Sequence, residues 1–258
     1  MLRTVIVKKQ YSIHYINIFM CVRMYFVDTQ DLEKEFNLAS ISDLVRFRLD
    51  HQVNVGGNLS TEQSQVIIRN GENNENIIEL TTWGLIPSFS KEISSVYNMA
   101  NTRIESCVIK PYFKKLTHHH RCIIPVNGYY EWSGVKGSKI PHALYSKKLK
   151  TIYLAGLWDM WSNAEGDEVL SFSIITKPAD NSISNIHSRM PVVMNVDNAK
   201  KWLDTKQDSK DIDAQVLKME QDLNWALGEQ KIILDNVEVD KSMNNPKNVE
   251  FKILEFIK

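Results

Sequence analysis

Six short apolar runs, "RCIIPV", "GYYEW", "HALYS", "TIYLAGLW", "VLSFSIIT" and "PVVMNV", follow one another from residue 121 to 196, separated by turn signals such as "SGVKGSK" and "SNAEGDE". This succession constrains the fold most. Parallel neighbours need a crossover of a dozen or more residues, and no helical pattern stands between these runs, so they pair mainly antiparallel. Upstream, "QVIIR" and "IIELTTWGL" flank Asn70, Gly71 and a polar stretch, the pattern of a β-hairpin with a longer loop. Helical patterns lie at either side. "DTQDLEKEF" offers Asp28 or Thr29 as a cap with Leu32 and Phe36 on one face, and "SISDLVRFRL" follows it; "DNAKKWLD" and "DAQVLKMEQDL" come late, before a last strand in "KIILDNVEV". The expectation is an α+β chain: a single domain over residues 20–258 with a mostly antiparallel, barrel-like β core and flanking helices, preceded by an extension at 1–19.

Composition narrows the function classes. Thirty-one Lys and Arg balance 31 Asp and Glu, so no global field attracts nucleic acid or anionic lipid, and any such contact must come from a local patch. Cys21, Cys107 and Cys122 form no C-x-x-C pair, which speaks against a disulfide framework and a zinc site and for a reducing, cytoplasmic setting. No apolar run approaches the ~20 residues that span a bilayer, so no membrane partner is expected. Residues 1–19 carry Arg3, Lys8, Lys9 and His14 among apolar residues and lack the pattern of a secretory signal.

Chemistry-bearing residues gather in a few segments. "NGYYEW" sets Glu131 in a strand, sharing a face with Tyr129; buried there, its carboxyl would suit a general acid or base, while on a solvent face it would be unremarkable. "SNIHSRMPVV" places His187 two residues before Arg189 on a loop entering a strand, a pair suited to moving a proton beside a held anion. "NMANTRIES", read as a loop, carries Asn101 and Arg103, able to orient a substrate and clamp a phosphate. Trp83 of "TTWGLIPSF" is either a base-stacking surface or a core residue. His118, His119 and His120 share no face, so a solvated loop is expected and no metal or other cofactor. Cys122 reads as a small core residue, and no activating group neighbours Cys107.

Taken together, "MCVR", "WGLIPSF", "NTRIES", "RCIIPVNGYYEW", "AGLWDMW", "FSIITKPAD" and "IHSRMPVVM" resemble, in order and spacing, the SOS-response-associated peptidase (SRAP) family of abasic-site-processing proteins, from Met20 to about "VDKSMNNPKN". The resemblance implies a single-domain, monomeric, bacterial cytoplasmic protein, close to the nucleoid when DNA-bound, with a groove for single-stranded DNA containing abasic sites. Loss of Met20 would make Cys21 the amino terminus, where its thiol and amine trap the ring-opened aldehyde as a thiazolidine. Carried over, Cys21, Asn101, Glu131 and His187 are the catalytic group. Arg23, Trp83, Arg103, Thr176 and Arg189 contact the DNA. Self-processing peptidase and lyase activities attach to the same site. A cysteine peptidase using Cys21, Glu131 and His187, and a single-stranded DNA-binding module without reaction, are the competing readings.

The chain departs from the family pattern in places. Val22 stands where glycine is usual, "NVGG" keeps Asn54 but sets Gly57 where a proline is expected, and "HSR" lacks a carboxylate beside His187. The 19 residues before Met20 would leave Cys21 without a free amine. Translation from Met20 is the expected resolution, with cleavage before Cys21 the alternative.

Overall fold

Strand alternation decides what this chain buries. The computed structural model describes residues 23–26, 32–41, 45, 56–60, 64–71, 73, 75–93, 99–135, 137–204 and 232–245. The elements are β1 (Arg23–Phe26), α1 (Leu32–Phe36), β2 (Leu38–Ile41), β3 (Gly56–Ser60), β4 (Ser64–Asn70), β5 (Asn76–Trp83), β6 (Asn101–Arg103), α2 (Ile104–Ile109), α3 (Pro111–His119), β7 (Arg121–Val126), β8 (Gly128–Ser133), β9 (Ile140–Tyr145), β10 (Ile152–Ser162), β11 (Glu168–Pro178), β12 (Arg189–Pro191), β13 (Val193–Met194), α4 (Val196–Leu203), β14 (Asp235–Glu238) and a 3-10 turn (Lys241–Asn244).

Strands β5, β4, β7, β10 and β11 pair in that order, and β11 returns to β5 through the parallel contacts Ser171 with Thr82 and Phe172 with Trp83. The result is a closed five-stranded barrel, which removes both edges of the sheet. Alternate residues face opposite ways. Ile67, Trp83, Cys122, Ile124, Leu154, Phe172 and Ile174 share one apolar cluster inside it. Ile68, Ile78, Ile123, Tyr153, Ala155 and Leu157 belong to a second cluster, covered by Phe36 of α1, Phe113 and Leu116 of α3, and Trp202 of α4. Gly156 is required by the inner packing: a Cβ there would stand 2.6 Å from Ile124 Cδ1 and 2.9 Å from Cys122 Sγ. The outer layer is tied by hydrogen bonds too, with Trp202 Nε1 donating to the Cys122 carbonyl at 3.0 Å.

A second sheet, in the order β14-β9-β8-β1-β3, grows directly from the first because only Asn127 separates β7 from β8. Asn127 is the corner. Its amide donates to the Tyr25 carbonyl and its side chain to the Lys150 carbonyl, so the strand can change sheets without orphaning its backbone groups.

The expected α+β architecture with a mostly antiparallel barrel is therefore what forms, and the 64–70 and 76–83 runs make the expected hairpin. Two local expectations are corrected. Residues 101–103 are a strand parallel to β11 followed at once by α2, not a loop. His118 and His119 are not in a solvated loop: Pro111 starts α3, whose buried Phe113, Leu116 and Thr117 hold it on the barrel, and the histidines form its last turn with His120 as the cap. Ile41 ends a strand and Val45 is a buried helical residue; the rest of the helix expected from "SISDLVRFRL", and all of that from "DAQVLKMEQDL", lie outside the described residues.

Candidate active site

At one end of the barrel β11 is flanked by β6 and β12, so that Thr176 lies beside Arg103 on one side and Pro191 on the other. This pairing brings Asn101, Arg103, Thr176 and Arg189 together from stretches that are far apart in sequence. His187 reaches the same place through a tight turn. Asp180 accepts hydrogen bonds from the Ser182 amide and hydroxyl, the His187 amide donates to the Ile183 carbonyl, and Ile183 and Ile186 are buried beneath. The Arg189 amide donates to His187 Nδ1 at 3.1 Å. Nδ1 also lies 3.2 Å from the Arg189 carbonyl, so the Arg189 backbone holds the ring in either tautomer, and with the hydrogen on Nδ1, donated to that carbonyl, Nε2 is left as an acceptor.

Glu131 sits on β8, 3% exposed, with Oε1 accepting from the Trp132 amide at 3.2 Å. Tyr129, two residues earlier on the same face, packs in the inner cluster with Met24, Ala100, Ile174, Ile186 and Met190. Of these, Ala100, Ile186 and Met190 are the chain neighbours of Asn101, His187 and Arg189, so the strand of Glu131 shares an apolar cluster with the segments that carry those residues.

The remaining site residues are placed as follows. Arg103 is exposed. Arg189 is not: its guanidinium makes a two-pronged ion pair with Glu105 at 2.7 and 2.9 Å, donates to the Thr176 carbonyl at 2.7 Å, and its side chain is 11% exposed. Thr176 is fully buried and touches Arg189, so it presents no surface to a ligand. Trp83 is 0% exposed, stacked near Phe172 and donating to the Ala100 carbonyl at 2.9 Å. No base can stack on it, and the structure gives it the core role, supporting the residue before Asn101. Arg23 pairs with Tyr130 and therefore faces away from Glu131, where it donates to the Met243 carbonyl and lies over the Trp132 ring. Cys21, Val22, Asn54 and residues 1–19 lie outside the described residues.

Electrostatics separate the cysteines. Burial pushes the Cys107 thiol up to about 11 and the Cys122 thiol further still, so neither is a nucleophile near neutral pH. The Arg189 hydrogen bonds, with the Arg103 charge nearby, hold the Glu105 carboxyl below its usual range. Glu105 was missed in the sequence, although its place in the first turn of α2 was a signal for a carboxylate beside a helix amino terminus. Among the described residues no group of three His, Cys, Asp or Glu is arranged to hold a metal, and no helix is long and apolar enough to cross a membrane.

Comparison with known proteins agrees with this architecture. Abasic site processing protein YoqW of Bacillus subtilis strain 168 is 32% identical over 194 residues, 74% of this chain and 84% of that protein. Abasic site processing protein YoaM of the same organism is 33% identical over 190 residues, 73% of this chain and 79% of the relative. Abasic site processing protein HMCES of Rattus norvegicus is 29% identical, over 53% of this chain and 47% of its own length. A crystal structure of a protein from Bacteroides thetaiotaomicron covers 90% of this chain and 100% of its own, with a TM-score of 0.70 and 22% identity, a likeness of fold. The model of the family described as SOS response associated peptidase (SRAP) matches residues 20–244, most of the chain, and the protein therefore belongs to the SRAP family.

Proposed function

We propose that the protein traps abasic sites in single-stranded DNA as a covalent thiazolidine crosslink through Cys21, once Cys21 is the amino terminus. What supports the reading is that Glu131 is buried and that Tyr129 on its strand shares an apolar cluster with Ala100 and Ile186, the residues before Asn101 and His187, in a family match that begins at residue 20. Both other thiols are buried. Cys21 precedes Arg23 by two residues, and Arg23 pairs with Tyr130, the neighbour of Glu131.

The chemistry follows from the groups. An abasic deoxyribose is mostly closed; His187 takes the proton of its anomeric hydroxyl and returns one to the ring oxygen, giving the aldehyde. An α-amine (about 7.7 to 8.0) and a thiol (about 8.5) both reach their reactive forms near neutrality. The amine adds to the aldehyde carbon, and Glu131 protonates the carbinolamine hydroxyl so that it leaves as water. The thiolate then closes the five-membered ring on the imine carbon while the nitrogen gains a proton; amine, thiol and aldehyde become thiazolidine and one water. Because both nucleophiles belong to one residue, the second attack is intramolecular and correspondingly fast. Asn101 orients the amine or the sugar, and Arg103 holds a flanking phosphate.

The same groups suit hydrolysis of the Met20–Cys21 bond, a self-processing step in keeping with the word peptidase in the family description. A bacterial cytoplasmic setting fits this role. The test is intact-mass analysis of denatured protein after incubation with a single-stranded oligonucleotide carrying one abasic site. The chain expressed from Met20 gains the mass of the DNA less one water; Cys21→Ala gains nothing; Cys107→Ala and Cys122→Ala behave as wild type. Attachment that persists in Cys21→Ala would refute the assignment.

A further inference from the structure

The 3-10 turn at Lys241–Asn244 lies across the face of the second sheet that Tyr25 and Tyr130 share, the face turned away from Glu131. Met243 is fully buried there, in one cluster with Tyr25, Tyr130 and Tyr145 from β1, β8 and β9. Asp240 caps the turn by accepting from the Ser242 amide at 2.8 Å, and the Val239 amide donates to the Pro141 carbonyl at 3.0 Å, which fixes the turn beside β9. From this seat it reaches two further strands. Arg23 Nη1 donates to the Met243 carbonyl at 3.2 Å, and the Arg23 guanidinium stands 5.7 Å from the centroid of the Trp132 ring. Trp132 Nε1 donates to Asn244 Oδ1 at 2.6 Å, while the Trp132 amide donates to Glu131 Oε1. One turn thus grips the first residue of β1 and the residue next to Glu131. The family match runs over residues 20–244, so these bonds join its two ends.

We propose that the Lys241–Asn244 turn is a clamp for the amino-terminal strand, with Arg23 and Asn244 as positioning residues for the crosslinking reaction. This rests on the reading of Cys21 as the nucleophile. A chain terminus frays unless something ties it down, and Cys21 stands two positions before Arg23 in the sequence. A nucleophile at such an end reacts fast only where its approach is confined, and a misplacement of about 1 Å can cost about 100-fold. The described ladder of β1 with β8 and β3 begins at Arg23, so the Arg23 side chain adds a tie at the end of the strand nearer the nucleophile. Asn244 fixes the indole over which the guanidinium lies, and the three side chains act as one assembly. The same bonds give the Arg23 charge to the framework rather than to a phosphate.

The test uses the chain processed to Cys21. Arg23→Met keeps the aliphatic stem and loses the donors; it is expected to slow crosslinking at saturating abasic-site DNA at least about tenfold, within the range that misplacement produces. Its affinity for an undamaged single strand, and the slope of log K against log salt, stay as in wild type. Weaker binding with a slope shallower by about 0.7 makes Arg23 a phosphate contact and overturns the clamp. Asn244→Ala slows the same step, and Asn244→Asp, which keeps an acceptor for the indole, restores it. A folded Arg23→Met or Asn244→Ala that crosslinks at the wild-type rate, or an Asn244→Asp as slow as Asn244→Ala, overturns the clamp. Thiazolidine formation with free acetaldehyde needs no positioning against DNA and proceeds equally in wild type and both slowed variants; a parallel loss there overturns the clamp as well. Hydrogen exchange followed by mass spectrometry reads the tie itself: the amides of β1 exchange faster in Arg23→Met and Asn244→Ala, and unchanged exchange is a refutation. A wild-type chain that forms no adduct refutes the crosslinking reading instead, and the exchange of β1 still decides the clamp.

Discussion

Glu105→Gln tests whether the Arg189 guanidinium belongs to the DNA-binding surface or to the framework. In the free protein Glu105 holds both terminal nitrogens, at 2.7 and 2.9 Å, in the geometry a phosphate would adopt. The pair is weakly held against competition, because the Glu105 side chain is 47% exposed. Screened to that degree, it contributes about 0.2–1 kcal/mol to stability. Loss of the carboxylate therefore lowers Tm by only a few degrees. It also removes a negative charge from the neighbourhood of any bound backbone and frees one cation for a phosphate. Each phosphate neutralised on a single strand adds about 0.7 to the slope of log K against log salt. Fluorescence anisotropy with an undamaged single-stranded oligonucleotide, across a series of NaCl concentrations, is expected to give tighter binding by Glu105→Gln at low salt and a slope steeper by roughly that amount. Arg189→Met cancels both effects. Weaker binding by Glu105→Gln at an unchanged slope would refute the reasoning and make the pair a scaffold that orients β12.

Three further outcomes are expected. The same ion pair links stability to pH: the Glu105 carboxyl titrates below its usual range in the folded state, so its contribution is complete above the ordinary glutamate range and disappears as pH falls through the lowered value. The Tm difference between wild type and Glu105→Gln should accordingly shrink toward zero on acidification, and a difference that persists would contradict the pairing. Gly156→Ala inserts a Cβ 2.6 Å from Ile124 Cδ1 and should cost about 1–3 kcal/mol in urea denaturation at an unchanged m-value. With the chain processed to Cys21, native protein should take up one equivalent of iodoacetamide rapidly, and Cys107 and Cys122 should react only in denaturant; fast labelling of either would contradict their burial.

Local patterns carried much of this protein. Alternating apolar runs without helical crossovers specify antiparallel strands, and "NGYYEW", "NTRIES" and "IHSRMPVV" name the residues on which the reaction is placed, since motif identity survives in a linear string. The histidine run was misread because its helix is held by Phe113 and Leu116 packing on the barrel, a tertiary contribution with no local signature at His118 and His119. A DNA contact was open to Trp83 and Thr176, yet closure of β5 against β11 puts the first inside the barrel and the pairing of β12 with β11 puts the second under Arg189. Arg23 lies on the far face from Glu131 because β1 pairs in one register with β8, and a shift of one residue would have put it on the near face. Glu105 with Arg189, and Arg23 with Met243, join residues 84 and 220 positions apart. Such partnerships depend on strand register and sheet order, which are selected by the burial of whole faces rather than by any neighbouring residue; the linear chain supplies the chemical groups, and the pairing of folded strands sets which of them meet.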